Sequence, residues 1–226
     1  MAEMIQSGLA ALRKLLIEES MLVERMMETS VQGLVLKRSD LLTEVEVMER
    51  QLDRMEVALE QECLTLLALH HPEAKNLRTT MMTYTICHDL ERMGDLTYTV
   101  SRSFGFFLKR PYFKPLVDLA TMAKETRVMM KDAMTSFINE DAPLARQVLQ
   151  RQQRVQKLCN TVFNRMLQDM SISAENAYHI NRISQSYERI AALSANIAEN
   201  TIFMVLGTII KHSGAQSPET ELHMQG

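Results

Sequence analysis

Apolar residues recur at spacings of three and four along most of the chain, the period of amphipathic helices rather than strands. The first such segment runs from about Glu3 to Val35. "KRSD" interrupts it, with Ser39 placed as N-cap of a second helix over about 40–69. "HHPEAK" reads as the tip of a helical hairpin, because Pro72 cannot continue a helix but can begin the next, over about 74–103. "FGFFLKRPYFKP" then breaks the pattern with a glycine and two prolines and marks a boundary between halves. A fourth helix is predicted over about 114–138, with Leu116, Leu119, Ala123, Met130 and Phe137 near one face. "NEDAP" separates it from a fifth over about 142–169, and "SISAE", with Ser173 as cap, leads into a sixth over about 174–211. The final "SGAQSPETELHMQG" is polar and expected to be disordered.

The two halves repeat each other. An offset of 103 matches Leu16 to Leu119, Met27 to Met130, Leu34 to Phe137, Val45 to Val148 and Leu52 to Val155. An offset of 97 then matches Ile86 to Ile183, Glu91 to Glu188, Arg92 to Arg189, Val100 to Ile197 and Phe106 to Phe203. The change falls at the second hairpin. The expected fold is therefore all-α, two tandem three-helix bundles, with residues 1–108 in the first, 109–212 in the second and 213–226 as a tail.

Composition agrees with this. The 226 residues are 46% hydrophobic and 23% charged, with 18 Met but only 7 Gly and 5 Pro, a balance that favours helix. A net charge of −3 gives no reason to expect nucleic acid or an acidic membrane as partner. Cys63, Cys87 and Cys159 are odd in number and far apart, as in a reducing cytoplasm. No secretory leader is apparent in "MAEMIQSGLA", and "TIFMVLGTII", the longest apolar stretch, is too short to insert in a bilayer. Ile202 to Ile210 offers apolar surface either to a homodimer contact or to packing against "FGFF".

The candidate chemistry lies on the first hairpin. Glu46, Glu49, Asp53, Glu56 and Glu60 form an acidic stripe beside the apolar seam of the second helix, and a solvated face is the ordinary reading of such a stripe. With the turn centred on Pro72, however, antiparallel pairing sets Glu49 opposite Asp95, Asp53 opposite Glu91 and Glu56 opposite His88. Four carboxylates, Glu49, Asp53, Glu91 and Asp95, then share one level about 30 Å from the turn and repel. Protonation, pairing with Arg50, Arg54 and Arg92, or a hard cation bound by oxygen ligands (Mg, Mn, Ca or Fe) would relieve them. In the second half the equivalents are Gln152, Gln156, Glu188 and Ala192, so metal binding is not expected there. Arg151, Arg154, Lys157 and Arg189 make that region basic. No phosphate-binding glycine loop, no His pair at i,i+4 and no nucleophile–base set is evident, and the chain is not expected to be an enzyme. A ferritin-like di-metal enzyme would carry Glu-x-x-His motifs. Only His88 before Glu91 comes near, in reversed order.

These segments resemble the PhoU family of phosphate-uptake regulators. "HHPEAKNLR" supplies Pro72, Ala74, Leu77 and Arg78 of its pattern after the first tip, and "DLERMGD" supplies Leu90, Glu91, Arg92, Met93, Gly94 and Asp95. "YERIAALSANIAEN" repeats Glu188, Arg189 and Ile190, followed by Asn196, Ile197, Ala198 and Glu199. Thr99 replaces a frequent Asn, and Ala192 an Asp. The resemblance implies divalent or iron-type metal ions at Glu49, Asp53, Glu91 and Asp95. It also implies a cytoplasmic negative regulator that contacts the ATPase of the phosphate ABC transporter and a membrane sensor histidine kinase.

Overall fold

A computed structural model describes the backbone of residues 2–110, 114–169 and 172–207, and the side chains of these residues except 2 and 114–117. Six α-helices follow one another: α1 Ala2–Val35, α2 Ser39–His70, α3 Ala74–Phe107, α4 Lys114–Ile138, α5 Ala142–Gln168 and α6 Ala174–Leu206. The first three pack together as one bundle and the last three as another; α3 lies against α6, and α1 touches α4. The expected all-α tandem architecture is therefore the observed one. Among the described residues, no helix is long and apolar enough to cross a membrane.

The apolar stripes account for the packing. Leu16, Val23 and Met26 of α1 meet Val45, Leu52 and Leu59 of α2 and Ile86, Leu90 and Met93 of α3 in a continuous buried core. Helices α3 and α6 are the central elements: fourteen and fifteen of their residues are buried, against six each in α2 and α5. Many are small and hydroxylated. Thr97, Ser194 and Thr201 bond back to the carbonyls of Met93, Ile190 and Ile197, so these three buried hydroxyls are satisfied within their own helix.

The turns are set locally. Asp141 caps α5 by accepting from the Leu144 N–H at 2.9 Å, and Ser173 caps α6 by accepting from the Asn176 N–H at 3.2 Å, as its position predicts. Ser39 does not cap: it is the first residue of α2, and the cap position falls on Arg38, which makes no side-chain cap bond. Helix α3 runs past its expected end and through "FGFF" to Phe107, because Phe104 and Phe107 bury completely and Gly105 is tolerated between them. Lys37 Nζ then donates to the carbonyls of Phe107 and Arg110, tying the first turn to that end. Helix α6 closes earlier than expected, at Leu206, with Gly207 in the left-handed conformation (φ 72°). Ile202 and Met204 are buried within the chain's own core, which leaves Leu206 exposed. The tail over 213–226 lies outside the described residues, as does the side chain of Leu116.

Candidate metal centre

Helices α2 and α3 meet in the register that the turn dictates. Glu56 Oε1 lies 2.6 Å from His88 Nδ1, the contact that pairing about Pro72 requires. The remaining ring nitrogen of His88 lies 3.0 Å from Glu60 Oε1. About one to two helical turns farther from the tip, Glu49 feels the charges of Asp53 and Asp95, while Glu91 feels those of Asp95, Glu56 and Asp53. All four predicted residues are thus brought into one electrostatic neighbourhood. Asp53 and Asp95 are exposed, and Glu49 and Glu91 are half-buried.

Close approach of the helices is what gathers them. Gly94 lies between Glu91 and Asp95 in sequence, and a Cβ at that position would stand 2.1 Å from Leu52 Cδ2. Leu52 is itself buried, so α3 settles against α2 only because residue 94 has no side chain.

Charge within the cluster is poorly compensated. Partial burial, then the charges of Asp95, Glu56 and Asp53, push Glu91 up to about 7. Glu49 is raised by burial first and by Asp53 and Asp95 next. Arginine pairing does not relieve the four: Arg50 pairs with Glu46 at 2.9 Å, and among the described residues none of the four acids forms a salt bridge. As the side chains stand, no group of three or more His, Cys, Asp and Glu residues among those described is arranged to hold a metal ion.

The sequence reasoning overlooked Glu19. This α1 residue is wholly buried, both carboxyl oxygens lack a hydrogen-bond partner, and burial followed by the charges of Glu56 and Glu91 raises it to about 9. The signal was present: Glu19 stands three residues after Leu16 and four before Val23, on the apolar stripe of α1.

The second half keeps this arrangement of positions with only one of the four acids, Glu188. Gln152, Gln156, Glu188 and Ala192 line one cavity of about 200 Å³, together with Arg189 and Ala191. Of its basic residues, Arg151 pairs with Asp132 and Arg154 with Glu125. Cys159 donates its thiol to Glu188 at 3.6 Å.

The family model described as the PhoU domain matches twice, over residues 16–104 and 119–201, one copy for each bundle. The chain belongs to the PhoU family. Two relatives, each described as a phosphate-specific transport system accessory protein PhoU homolog, come from Aquifex aeolicus and Deinococcus radiodurans. The first is 30% identical and covers 87% of this chain and 90% of its own. The second is 30% identical, covering 82% and 89%. The crystal structure of PhoU from Pseudomonas aeruginosa superposes with a TM-score of 0.85 at 27% identity, covering 90% of this chain and 99% of that one.

Proposed function

We propose that this PhoU-family chain is a non-enzymatic, cytoplasmic regulator of phosphate uptake and phosphate-starvation signalling. It restrains the phosphate ABC transporter through the transporter's ATPase and restrains a membrane sensor histidine kinase, with a carboxylate metal site in its first bundle. The observation that carries the reading is the match of both bundles to the PhoU domain, alongside relatives named as accessory proteins of the phosphate-specific transport system.

The donor set of the first bundle fits a metal. Four carboxylates from two helices share one neighbourhood, two of them are raised by burial and mutual repulsion, and the charge of Arg50, itself paired with Glu46, offsets Glu49 only in part. Glu49 and Asp53 from α2 with Glu91 and Asp95 from α3 would hold the ion. Oxygen ligands suit Mg, Mn, Ca or Fe. A bound cation would supply positive charge that fastens the two helices. A metal-free bundle is the second reading, favoured by the separation of these side chains as they stand. A ferritin-like enzyme has little support, since His88 is engaged on both ring nitrogens by Glu56 and Glu60.

Elemental analysis of the purified chain against Glu91→Ala/Asp95→Ala tests the metal. Bound metal in the native chain and its loss in the double variant are expected; equally low content in both would sink the site. Affinity capture from phosphate-replete cells tests the adaptor role. Recovery of the transporter ATPase or of the histidine kinase is expected, and absence of both counts against it.

A further inference from the structure

A cavity of about 370 Å³ opens where the two bundles meet, between the early turns of α1 and α3 and the ends of α4 and α6. That volume falls in the range of small-molecule sites, about 300–1,000 Å³. Its walls carry Gln6 and Arg13 from α1, Lys75, Asn76 and Thr79 from α3, and Glu140 from the turn after α4. Among the described residues that line it, Glu140 is the one acid. Two cations of the first bundle share its carboxylate: Arg13 Nη2 lies 3.4 Å from Oε1, and Lys75 Nζ contacts Oε2. Arg78 stands three residues after Lys75, on the same side of α3. It is half-buried, and its Nε donates at 3.4 Å to the carbonyl of Met204, another residue of the cavity wall. Among the described residues it forms no salt bridge.

The repeat isolates what is particular to this end of the molecule. Glu140 corresponds to Lys37 by the offset of 103, and both hold the left-handed backbone conformation at φ 56°. Lys37 turns its ammonium onto the carbonyls of Phe107 and Arg110, beside the end of α3 in its own bundle. Glu140 crosses instead to the other bundle. By the offset of 97, Arg78 corresponds to Glu175, so the turn and the helix start both change sign between the copies. At the Lys37 end Glu175 is paired with Arg110 at 3.1 Å. At the Glu140 end one carboxylate serves Arg13 and Lys75, and Arg78 is left over.

We propose that Arg13, Lys75 and Arg78 form an oxyanion site between the bundles that takes inorganic phosphate or pyrophosphate, with Glu140 as the internal carboxylate that the anion displaces. A guanidinium fork beside an ammonium suits a phosphoryl group, and Gln6 and Asn76 add neutral amide donors in the same wall. A phosphoryl group also carries more charge and more acceptor oxygens than a carboxylate, so it can engage Arg78, which Glu140 leaves unpaired. Glu140 and the anion compete for the same two cations. Binding therefore frees the α4–α5 turn from α1 and α3 and loosens one tie between the bundles. The site is independent of the carboxylates on the first hairpin: Asp95 stands 20 residues beyond Lys75, about 30 Å along α3.

The test is calorimetric titration of the full chain with orthophosphate and with pyrophosphate at constant ionic strength, after metal has been stripped so that no cation carries the anion. Glu140→Gln removes the competing carboxylate, and Lys75→Gln/Arg78→Gln removes two of the cations. Glu18→Gln, on an exposed face of α1, changes the net charge as Glu140→Gln does and serves as its control. Circular dichroism confirms that each variant stays helical. The native chain is expected to bind at least one of the two anions. Glu140→Gln should bind it more tightly by up to about fivefold, the scale of one exposed ion pair, while Glu18→Gln matches the native chain. Lys75→Gln/Arg78→Gln should bind it at least about tenfold more weakly. A variant that merely damaged the junction would weaken binding, so the gain in Glu140→Gln separates competition from structural support. No binding of either anion by the native chain and by Glu140→Gln would overturn the site. So would equal affinity in the native chain and Lys75→Gln/Arg78→Gln, or a gain in Glu140→Gln no larger than that in Glu18→Gln.

Discussion

Glu19 carries a carboxyl where the second bundle buries Met122, its equivalent by the offset of 103, and its energetics follow from that. In an unfolded chain a glutamate titrates near 4.3; in the fold, burial lifts this one to about 9. Between those values the folded state holds a proton that the unfolded state has released, so stability falls as pH rises. The contribution is fully present below about 4.3 and is lost as pH climbs through about 9. Glu19→Met removes both the titration and the unsatisfied polar group. Metal-free Glu19→Met is expected to be more stable than the native chain by about 1–3 kcal/mol at neutral pH. The gap should widen between pH 5 and pH 8.5. Thermal unfolding in chelator at several pH values checks this, and a gap that ignores pH would mean that Glu19 does not titrate as its burial requires. The residue also shows where sequence reading stops. Its place on the apolar stripe of α1 was legible, since Leu16 and Val23 bracket it at helical spacing. Its height beside Glu56 was legible too, because the turn between Val35 and Ser39 is as short as the one between His70 and Ala74, and pairing about Lys37 sets Glu19 opposite Met55; its approach to Glu91 was not, because that depends on how three helices pack together.

At the scale of elements, the hairpin of α2 and α3 is the unit that makes the cluster. Its register was legible, because two antiparallel helices of equal rise pair residues equidistant from their turn, and the contact of Glu56 with His88 at 2.6 Å obeys that sum. The side-chain pairing was less so: Arg50 turns along its own helix to Glu46, an i,i+4 contact that competes with any reach toward Glu49. Gly94 is the residue on which helix spacing depends. Gly94→Ala gains about 1 kcal/mol of helix propensity. It also drives a methyl into Leu52, which is 1% exposed and must shift within the core to admit it. Overpacking of that kind costs about 1–3 kcal/mol, so the variant is expected to lose stability by up to about 2 kcal/mol. Denaturant titration reads this directly, and a midpoint above that of the native chain would refute the close approach. Caps act on a smaller scale. Asp141→Ala removes the acceptor of the Leu144 N–H and is expected to cost about 1 kcal/mol by the same measurement.

Across the whole molecule, the repeat places the two bundles back to back through α3 and α6. A groove of about 480 Å³ at their junction is lined by Arg92, Asp95 and Leu96 from one and Arg189, Ala192 and Leu193 from the other, three pairs related by the same offset of 97. Each pair but one keeps its residue type. The exception is Asp95 against Ala192, and it is joined on the neighbouring helices by Glu49 against Gln152 and Asp53 against Gln156. Asymmetry in charge is therefore laid over symmetry in backbone, and it can be reversed. Gln152→Glu/Gln156→Asp/Ala192→Asp restores the quartet around the retained Glu188, in a cavity of about 200 Å³ that those positions already line. If the quartet binds metal by its donor set, the triple variant should bind metal in its second bundle as well, raising the metal content per chain in elemental analysis. In chelator the same variant should unfold at lower temperature than the native chain, since the added carboxylates repel; manganese should recover the loss. A variant that is destabilised without gaining metal would show that like charge alone, gathered at this level of the bundle, does not make the centre.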